Sequence, residues 1–120
     1  MASTGQFNIS CIGPVSVEIN QPGILGLFKG LIAADCHDIS RKGMQVGTKS
    51  ELKMGQRVVV DIIAHDLRVE ELRGIVSSTT VVDDHYFYEI DFTRARQNRD
   101  TMHCLMQLKS RLQADQSLEA

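Results

Sequence analysis

Short segments in which apolar and polar residues alternate occupy most of this chain, and they constrain its fold more than any other feature. PVSVEIN (Pro14–Asn20) places Val15, Val17 and Ile19 on one face and polar residues on the other. HYFYEIDF (His85–Phe92) alternates in the same way. A period of two residues is that of a half-buried β-strand. The pattern therefore predicts a chain built mainly of β-strands.

Four further segments between these two also have the composition of strands. They are LIAADCHD (31–38), MQVGT (44–48), RVVVDIIAHD (57–66) and EELRGIVSSTTVV (70–82). β-branched residues are dense in the last two, which favours strands. Gly74 interrupts the fourth segment and predicts a bulge or a bend at a barrel corner. Six short antiparallel strands joined by tight turns are typical of a small closed barrel.

The hydrophobic period changes after the last predicted strand. From Asp100, the expected N-cap, apolar residues recur at helical spacing: Met102, Leu105, Met106, Leu108 and Leu112. This spacing predicts an amphipathic helix over about residues 98–114, followed by a polar tail over 115–120. The apolar stripe needs a surface to pack on, and the barrel is the simplest one. We therefore expect a single domain over 1–120, with the barrel at about 12–92.

Charge and composition argue against several classes of function. The chain has 120 residues and a formal net charge of -2, so no strong overall field attracts it to nucleic acid or to an anionic membrane. Segments as apolar as the ~18 residues of a membrane span are absent from the sequence, so membrane insertion is not expected. Acidic residues surround the aromatic residues of the last predicted strand and would repel the phosphates of nucleic acid: Asp83, Asp84, Glu89 and Asp91.

The three cysteines, Cys11, Cys36 and Cys104, are an odd number without close pairing. This usage predicts unbridged thiols and a reducing, cytoplasmic setting. The first ten residues, MASTGQFNIS, have neither a basic start nor an apolar core, so a secretory signal is not expected.

The sequence offers little support for an enzyme. The histidines do not form any spacing typical of a metal or catalytic site: His37, His65, His85 and His103. Ser40 lies outside any nucleophile-elbow motif. We therefore expect neither catalysis nor a bound metal.

The segment CHDISRKGMQV (Cys36–Val46) is the strongest candidate for a binding site. Asp38 and Ser40 can each accept a backbone N–H and so fix a turn. Gly43 can adopt a positive φ or let another group approach the backbone closely. Oriented N–H groups, a hydroxyl and two adjacent cations are the ingredients of an anion site. A turn between two strands needs no ligand, however, so both interpretations stay open.

DISRKG (Asp38–Gly43) matches the DxSxxG signature of the PilZ domain. This family is a small antiparallel β-barrel with a C-terminal helix, typically a receptor for bacterial cyclic di-GMP. The hairpin LIAADCHDISRKGMQV and the late strand pair RGIVSSTTVVDDHYFYEIDF also resemble the family. The resemblance implies a non-enzymatic regulatory module of motility, pili or biofilm control, with cyclic di-GMP as a possible ligand and a protein as partner.

The chain departs from the family's pattern at the phosphate clamp. Family members that bind the dinucleotide usually carry an RxxxR segment some twenty or more residues before DxSxxG, whereas this chain has no arginine before Arg41. The ammonium of Lys29 cannot reproduce a planar, bidentate, stacking guanidinium. One hypothesis is therefore a divergent module whose nucleotide binding is weak or lost and which acts by protein–protein contacts.

The other hypothesis is a true cyclic di-GMP receptor that uses the Asp38–Gly43 turn and arginines from elsewhere. TRARQNR (Thr93–Arg99) offers such arginines just before the predicted helix. The candidate ligand-binding residues are then Asp38, Ser40, Arg41, Lys42, Gly43, Arg94 and Arg96. The sequence leaves the oligomeric state open.

Overall fold

The computed structural model describes residues 9–10, 15–22, 28–64 and 67–119. Within these residues the chain forms seven strands and one helix. They are β1 (Ile9–Ser10), β2 (Val15–Pro22), β3 (Phe28–Ile39), β4 (Gly43–Thr48), β5 (Arg57–Ala64), β6 (Leu67–Val82), β7 (His85–Asp91) and α1 (Arg99–Glu119). All six expected strands are present, and β1 is an additional two-residue strand.

Six of the strands close into an antiparallel barrel in the order β3-β2-β5-β6-β7-β4, and β4 pairs with β3 to complete the ring. β1 pairs with the C-terminal end of β3. This architecture confirms the predicted six-stranded barrel with a C-terminal helix. Residues 12–14 and 23–27 of the expected barrel lie outside the described residues.

The interior of the barrel is filled by the inward residues of each strand. The alternation of β7 is as predicted, because Tyr88 and Ile90 are fully buried while Glu89 between them is exposed. Strands β2, β4, β5 and β6 supply the aliphatic partners: Val17, Ile19, Val46, Val58, Val60, Ile62, Leu72 and Val76. The core therefore consists mainly of β-branched residues, as expected of strand interiors.

The helix α1 packs its apolar stripe against the barrel. Its buried apolar positions are Leu105, Leu108 and Leu112, and Met106, which belongs to the same helical pattern, is 38% exposed. The helix continues to Glu119, beyond the expected end near residue 114. Among the described residues, no helix combines the length and the apolar character that crossing a bilayer requires.

The N-cap of the helix lies two residues before the expected one. The Asn98 side-chain oxygen accepts the N–H of Asp100 at 2.8 Å, so the N-cap is Asn98 and the assignment of Asp100 as cap is wrong. Asp100 instead lies in the first turn, where its negative charge is favoured by the helix dipole. Nearby, the Thr101 hydroxyl donates to the carbonyl of Glu70 at 2.8 Å and fastens the helix to β6.

Gly74 does not form the predicted bulge. It pairs in register with Val58, and a Cβ atom at this position would collide with the side chain of Ile90. The glycine is therefore required by packing against β7. The register shifts of β6 lie elsewhere, beside Glu71, which has a φ of 61°, and at Ser77.

The expectation of unbridged cysteines is wrong for Cys36, which takes part in a disulfide bond. Cys104 is free. Because disulfides persist mainly in oxidising compartments, cysteine usage no longer favours a reducing setting. Within the described residues, no group of three or more His, Cys, Asp or Glu side chains could hold a metal ion.

The hydroxyl of Tyr88 links the core to the segment between β4 and β5. It accepts the backbone N–H of Leu52 at 2.6 Å and donates to the carbonyl of Ser50 at 3.3 Å. Burial raises the pKa of Tyr88, against a smaller opposing effect of the Leu52 N–H. The hydroxyl therefore stays protonated and can donate at neutral pH.

We expect Tyr88→Phe to lower the free energy of unfolding by about 1–3 kcal/mol, because the buried N–H of Leu52 is left without an acceptor. Denaturant unfolding measures this loss. Tyr86→Phe is the matched control, since within the described residues the Tyr86 hydroxyl makes no hydrogen bond, and its effect should stay within about 0.5 kcal/mol. Equal losses in the two variants would contradict the proposed role of the Tyr88 hydroxyl.

Candidate functional site

The turn between β3 and β4 is held by Ser40. Its N–H donates to the carbonyl of Gly43 at 2.8 Å, and its hydroxyl oxygen accepts the N–H groups of Lys42 and Gly43 at 3.2 and 3.3 Å. The hydroxyl also donates to the Gly43 carbonyl at 3.2 Å. A serine hydroxyl has one donor and two acceptor sites, so the turn uses all of them.

Gly43 is required by a close approach and not by a positive φ. Of the described glycines, Gly55 has the positive φ, at 79°. A Cβ atom on Gly43 would lie 2.5 Å from the carbonyl oxygen of Ile90, because Gly43 pairs directly with Asp91. Next to this contact, the N–H of Phe92 donates to the carbonyl of Lys42 at 2.8 Å. The turn is thus fastened to the end of β7.

A cleft of about 370 Å³ adjoins this turn, and we call it the turn cleft. Its charged and turn-forming lining residues are Asp38, Ser40, Lys42, Gly43, Glu89 and Asp91. Three carboxylates therefore face one ammonium. The negative side chains of β7 were not predicted as part of the site, because the register that places them beside the turn is not visible in the sequence.

Asp38 does not fix the turn as expected. Within the described residues its carboxylate accepts no hydrogen bond, and it lines the turn cleft instead. Arg41 is exposed and is not among the residues that line this cleft. Of the candidate ligand residues, the structure thus brings together Asp38, Ser40, Lys42 and Gly43.

Asp91 is held in its ionised form. Its carboxylate accepts the hydroxyl of Thr93 at 2.6 Å and the N–H of Thr93 at 2.8 Å. These two hydrogen bonds lower the pKa of Asp91, burial opposes them, and the charge of Arg94 adds a smaller lowering effect. The carboxylate therefore carries a full negative charge at neutral pH and would repel an anionic ligand in the turn cleft.

Arg94 and Arg96 line a different cleft of about 420 Å³ together with Arg57 and Arg73. We call it the arginine cleft. Thr93 lines the turn cleft and the next residue lines the arginine cleft. The structure therefore does not bring the two candidate arginines to the turn. The sequence analysis missed Arg57 and Arg73, which join this group only through the pairing of β5 with β6.

Comparison with solved structures places this architecture among known proteins. YcgR in complex with c-di-GMP from Escherichia coli matches with a TM-score of 0.72 and 14% identity, over 96% of this chain and 48% of that chain. The K. pneumonia MrkH–c-di-GMP complex matches with a TM-score of 0.77 and 12% identity, over 100% of this chain and 57% of that chain. The chain thus spans about half the length of these two proteins. The likeness establishes a PilZ-like fold.

Comparisons based on sequence give a different result. The chain matches no protein-family model and no curated protein. The fold is therefore shared without a match to any family model or curated sequence.

Gly43→Ala should destabilise the protein by about 1–3 kcal/mol, because the new methyl group meets the backbone oxygen of Ile90 and β4 must shift away from β7. Thermal or denaturant unfolding measures the loss. Lys42→Ala, a change at the exposed neighbouring side chain, is the control and should cost no more than about 0.5 kcal/mol. A Gly43→Ala variant as stable as this control would show that β7 does not require a glycine here.

Thr93→Val should raise the pKa of Asp91 towards the ordinary value of about 3.9, because the variant loses the hydroxyl donor and keeps the N–H. Carbon-detected NMR titration of the side-chain carboxyl measures the shift, and Thr80→Val, an exposed change remote from Asp91, should leave it unaltered.

The same shift has a consequence for stability. Since the pKa of Asp91 is lower in the folded state, its contribution is present above the unfolded pKa and is lost as the pH falls through the folded value. Thr93→Val should therefore reduce the acid-dependent loss of stability below about pH 4. If Thr93→Val leaves the pH dependence of the free energy of unfolding below about pH 4 unchanged, Thr93 does not have this role.

Proposed function

We propose that the chain is a non-enzymatic, PilZ-like regulatory module of cyclic di-GMP signalling whose nucleotide binding is weak or lost and which acts through protein–protein contacts. The observation that carries this proposal is the charge of the turn cleft, where Asp38, Glu89 and Asp91 face the single ammonium of Lys42. A cytoplasmic setting, a protein partner and a role in motility, pili or biofilm control belong to the same proposal.

The hydrogen bonds of the turn also support weak binding. The N–H groups of Ser40, Lys42 and Gly43 donate within the turn, and the Ser40 hydroxyl has no donor or acceptor site left. A phosphate in the turn cleft would have to displace these bonds or bind without them. The turn therefore offers an anion few donors.

The 40 residues before Arg41 contain no arginine that could supply replacement donors. Each lost hydrogen bond to a charged group costs roughly 1.5–3 kcal/mol, and each ~1.4 kcal/mol is a tenfold change in affinity. Losing several such bonds would weaken a micromolar ligand to millimolar affinity or beyond. Repulsion from the carboxylates of the turn cleft acts in the same direction.

The second candidate function is a true cyclic di-GMP receptor that uses the Asp38–Gly43 turn with arginines from elsewhere in the chain. It is favoured by the two structural neighbours, both of which are complexes with c-di-GMP. It requires the guanidinium groups of Arg94 and Arg96 to reach the turn cleft, whereas both residues line the arginine cleft. We therefore favour the first function.

Isothermal titration calorimetry of the purified chain with cyclic di-GMP tests the choice. We expect no heat beyond the heat of dilution, even at millimolar concentrations of cyclic di-GMP. Binding with a dissociation constant in the low micromolar range would refute the first function if Ser40→Ala or Arg41→Ala abolishes that binding. If binding is lost in the double variant Arg94→Gln/Arg96→Gln but not in Arg68→Gln, the receptor function is the correct one.

A further inference from the structure

The arginine cleft is formed by three elements that are distant in the sequence. Arg57 begins β5, Arg73 lies in β6, and Arg94 and Arg96 follow β7. Because Arg57 pairs with Ile75 and Val59 pairs with Arg73, the first two arginines are diagonal neighbours across two strands and share a face of the sheet. Four arginines, half of those in the chain, therefore lie along one cleft.

The segment that carries Arg94 and Arg96 is fastened in place by Gln97. The Gln97 side-chain oxygen accepts the N–H of Arg73 at 3.0 Å, and its amide nitrogen donates to the carbonyls of Arg73 and Phe92 at 2.5 and 3.0 Å. The guanidinium of Arg73 in turn donates to the carbonyl of Arg96 at 3.3 Å. The backbone that carries Arg94 and Arg96 and the guanidinium of Arg73 are thus held before any ligand binds, which lowers the cost of binding.

The positive charge of the arginine cleft is not compensated locally. No carboxylate lines the cleft, and in the described part of the chain none of its four arginines forms a salt bridge. After the hydrogen bonds from Thr93, the charge of Arg94 also lowers the pKa of Asp91, but Asp91 lines the turn cleft and not the arginine cleft. A cleft lined by one sign of charge focuses its field and concentrates counter-ions, even in a chain whose formal net charge is -2.

The size of the cleft selects the kind of anion. About 420 Å³ is within the range of small-molecule sites, and four arginines around it favour a ligand with several negative charges in a compact group. A carboxylate brings one charge, whereas a diphosphate brings several on adjacent phosphorus atoms, with oxygens that suit guanidinium forks. Val59 and Ile75 also line the cleft, and their apolar surface reduces screening by water beside them.

We propose that the arginine cleft, formed by Arg57, Arg73, Arg94 and Arg96, is a binding site for the diphosphate group of a small molecule. This site is separate from the turn cleft and goes beyond the proposed function. The test ligand is pyrophosphate and not cyclic di-GMP, and the test variant includes Arg57, which no cyclic di-GMP test changes, so either proposal can fail without the other.

Calorimetric titration of the whole chain with inorganic pyrophosphate, in metal-free buffer of low ionic strength, tests the proposal. We expect saturable binding that is at least about tenfold tighter than that of orthophosphate. The double variant Arg57→Gln/Arg94→Gln should weaken pyrophosphate binding at least about tenfold. Neither of these side chains makes a hydrogen bond within the described residues, so the barrel should remain folded, which amide NMR spectra check.

Arg68→Gln is the matched control, because Arg68 lies on β6 outside the cleft and pairs with Glu70 at 3.3 Å. It should leave pyrophosphate affinity unchanged. Absence of saturable pyrophosphate binding would overturn the proposal. Equal weakening by Arg68→Gln and by the double variant would also overturn it, since binding would then reflect overall charge and not the cleft.

Discussion

The close approach of Gly43 to the backbone of β7 is the contact on which the rest of the structure depends. The barrel closes because β4 pairs with β3 on one edge and with β7 on the other, and the position opposite Asp91 leaves no room for a Cβ atom. The hydrogen bond from the N–H of Phe92 to the carbonyl of Lys42 then fixes where the chain leaves β7. From that point Thr93 faces the turn cleft and Arg94 faces the arginine cleft.

This exit point separates the charges of the barrel end into two clefts. On one side, Glu89 and Asp91 project from β7 beside the turn, because their inward neighbours Tyr88 and Ile90 occupy the core. On the other side, the segment after β7 is fastened to β6 by Gln97. The charges of a negative cleft and a positive cleft therefore offset each other within the modest net charge of the chain. Both clefts adjoin the short segment after β7.

The strands and the helix could be predicted because each has a local pattern. The alternation of His85–Phe92 and the helical spacing from Met102 onward are both present in the structure. The N-cap could not be assigned from pattern alone, since Asn98 and Asp100 are both good caps and the choice depends on where β7 releases the chain. Of the two interpretations of Gly74, the bulge was wrong for a similar reason, because the neighbour that the glycine must accommodate, Ile90, is distant in sequence.

The clefts were harder to predict than the fold, because they depend on pairing between distant strands. Arg57 and Arg73 are separated by one hairpin, and nothing local relates either of them to Arg94. A prediction of the β5–β6 register would have placed the first two on one face, since Arg57 lies opposite Ile75. Placing Arg94 and Arg96 beside them would still have required knowledge of how the chain leaves β7.

In the short motif that gave the strongest functional signal, Ser40 and Gly43 have a sufficient structural explanation in this barrel, whereas Asp38 lines the turn cleft and fixes no turn. The N–H of Ser40 and all hydrogen-bonding sites of its hydroxyl are used within the turn. Gly43 leaves room for the backbone of β7. A motif whose residues are required for barrel closure persists whether or not a ligand is bound, so its presence alone cannot identify a receptor. What distinguishes a receptor from an adaptor is the set of cations placed opposite the turn, and in this chain Glu89 and Asp91 occupy the adjoining surface.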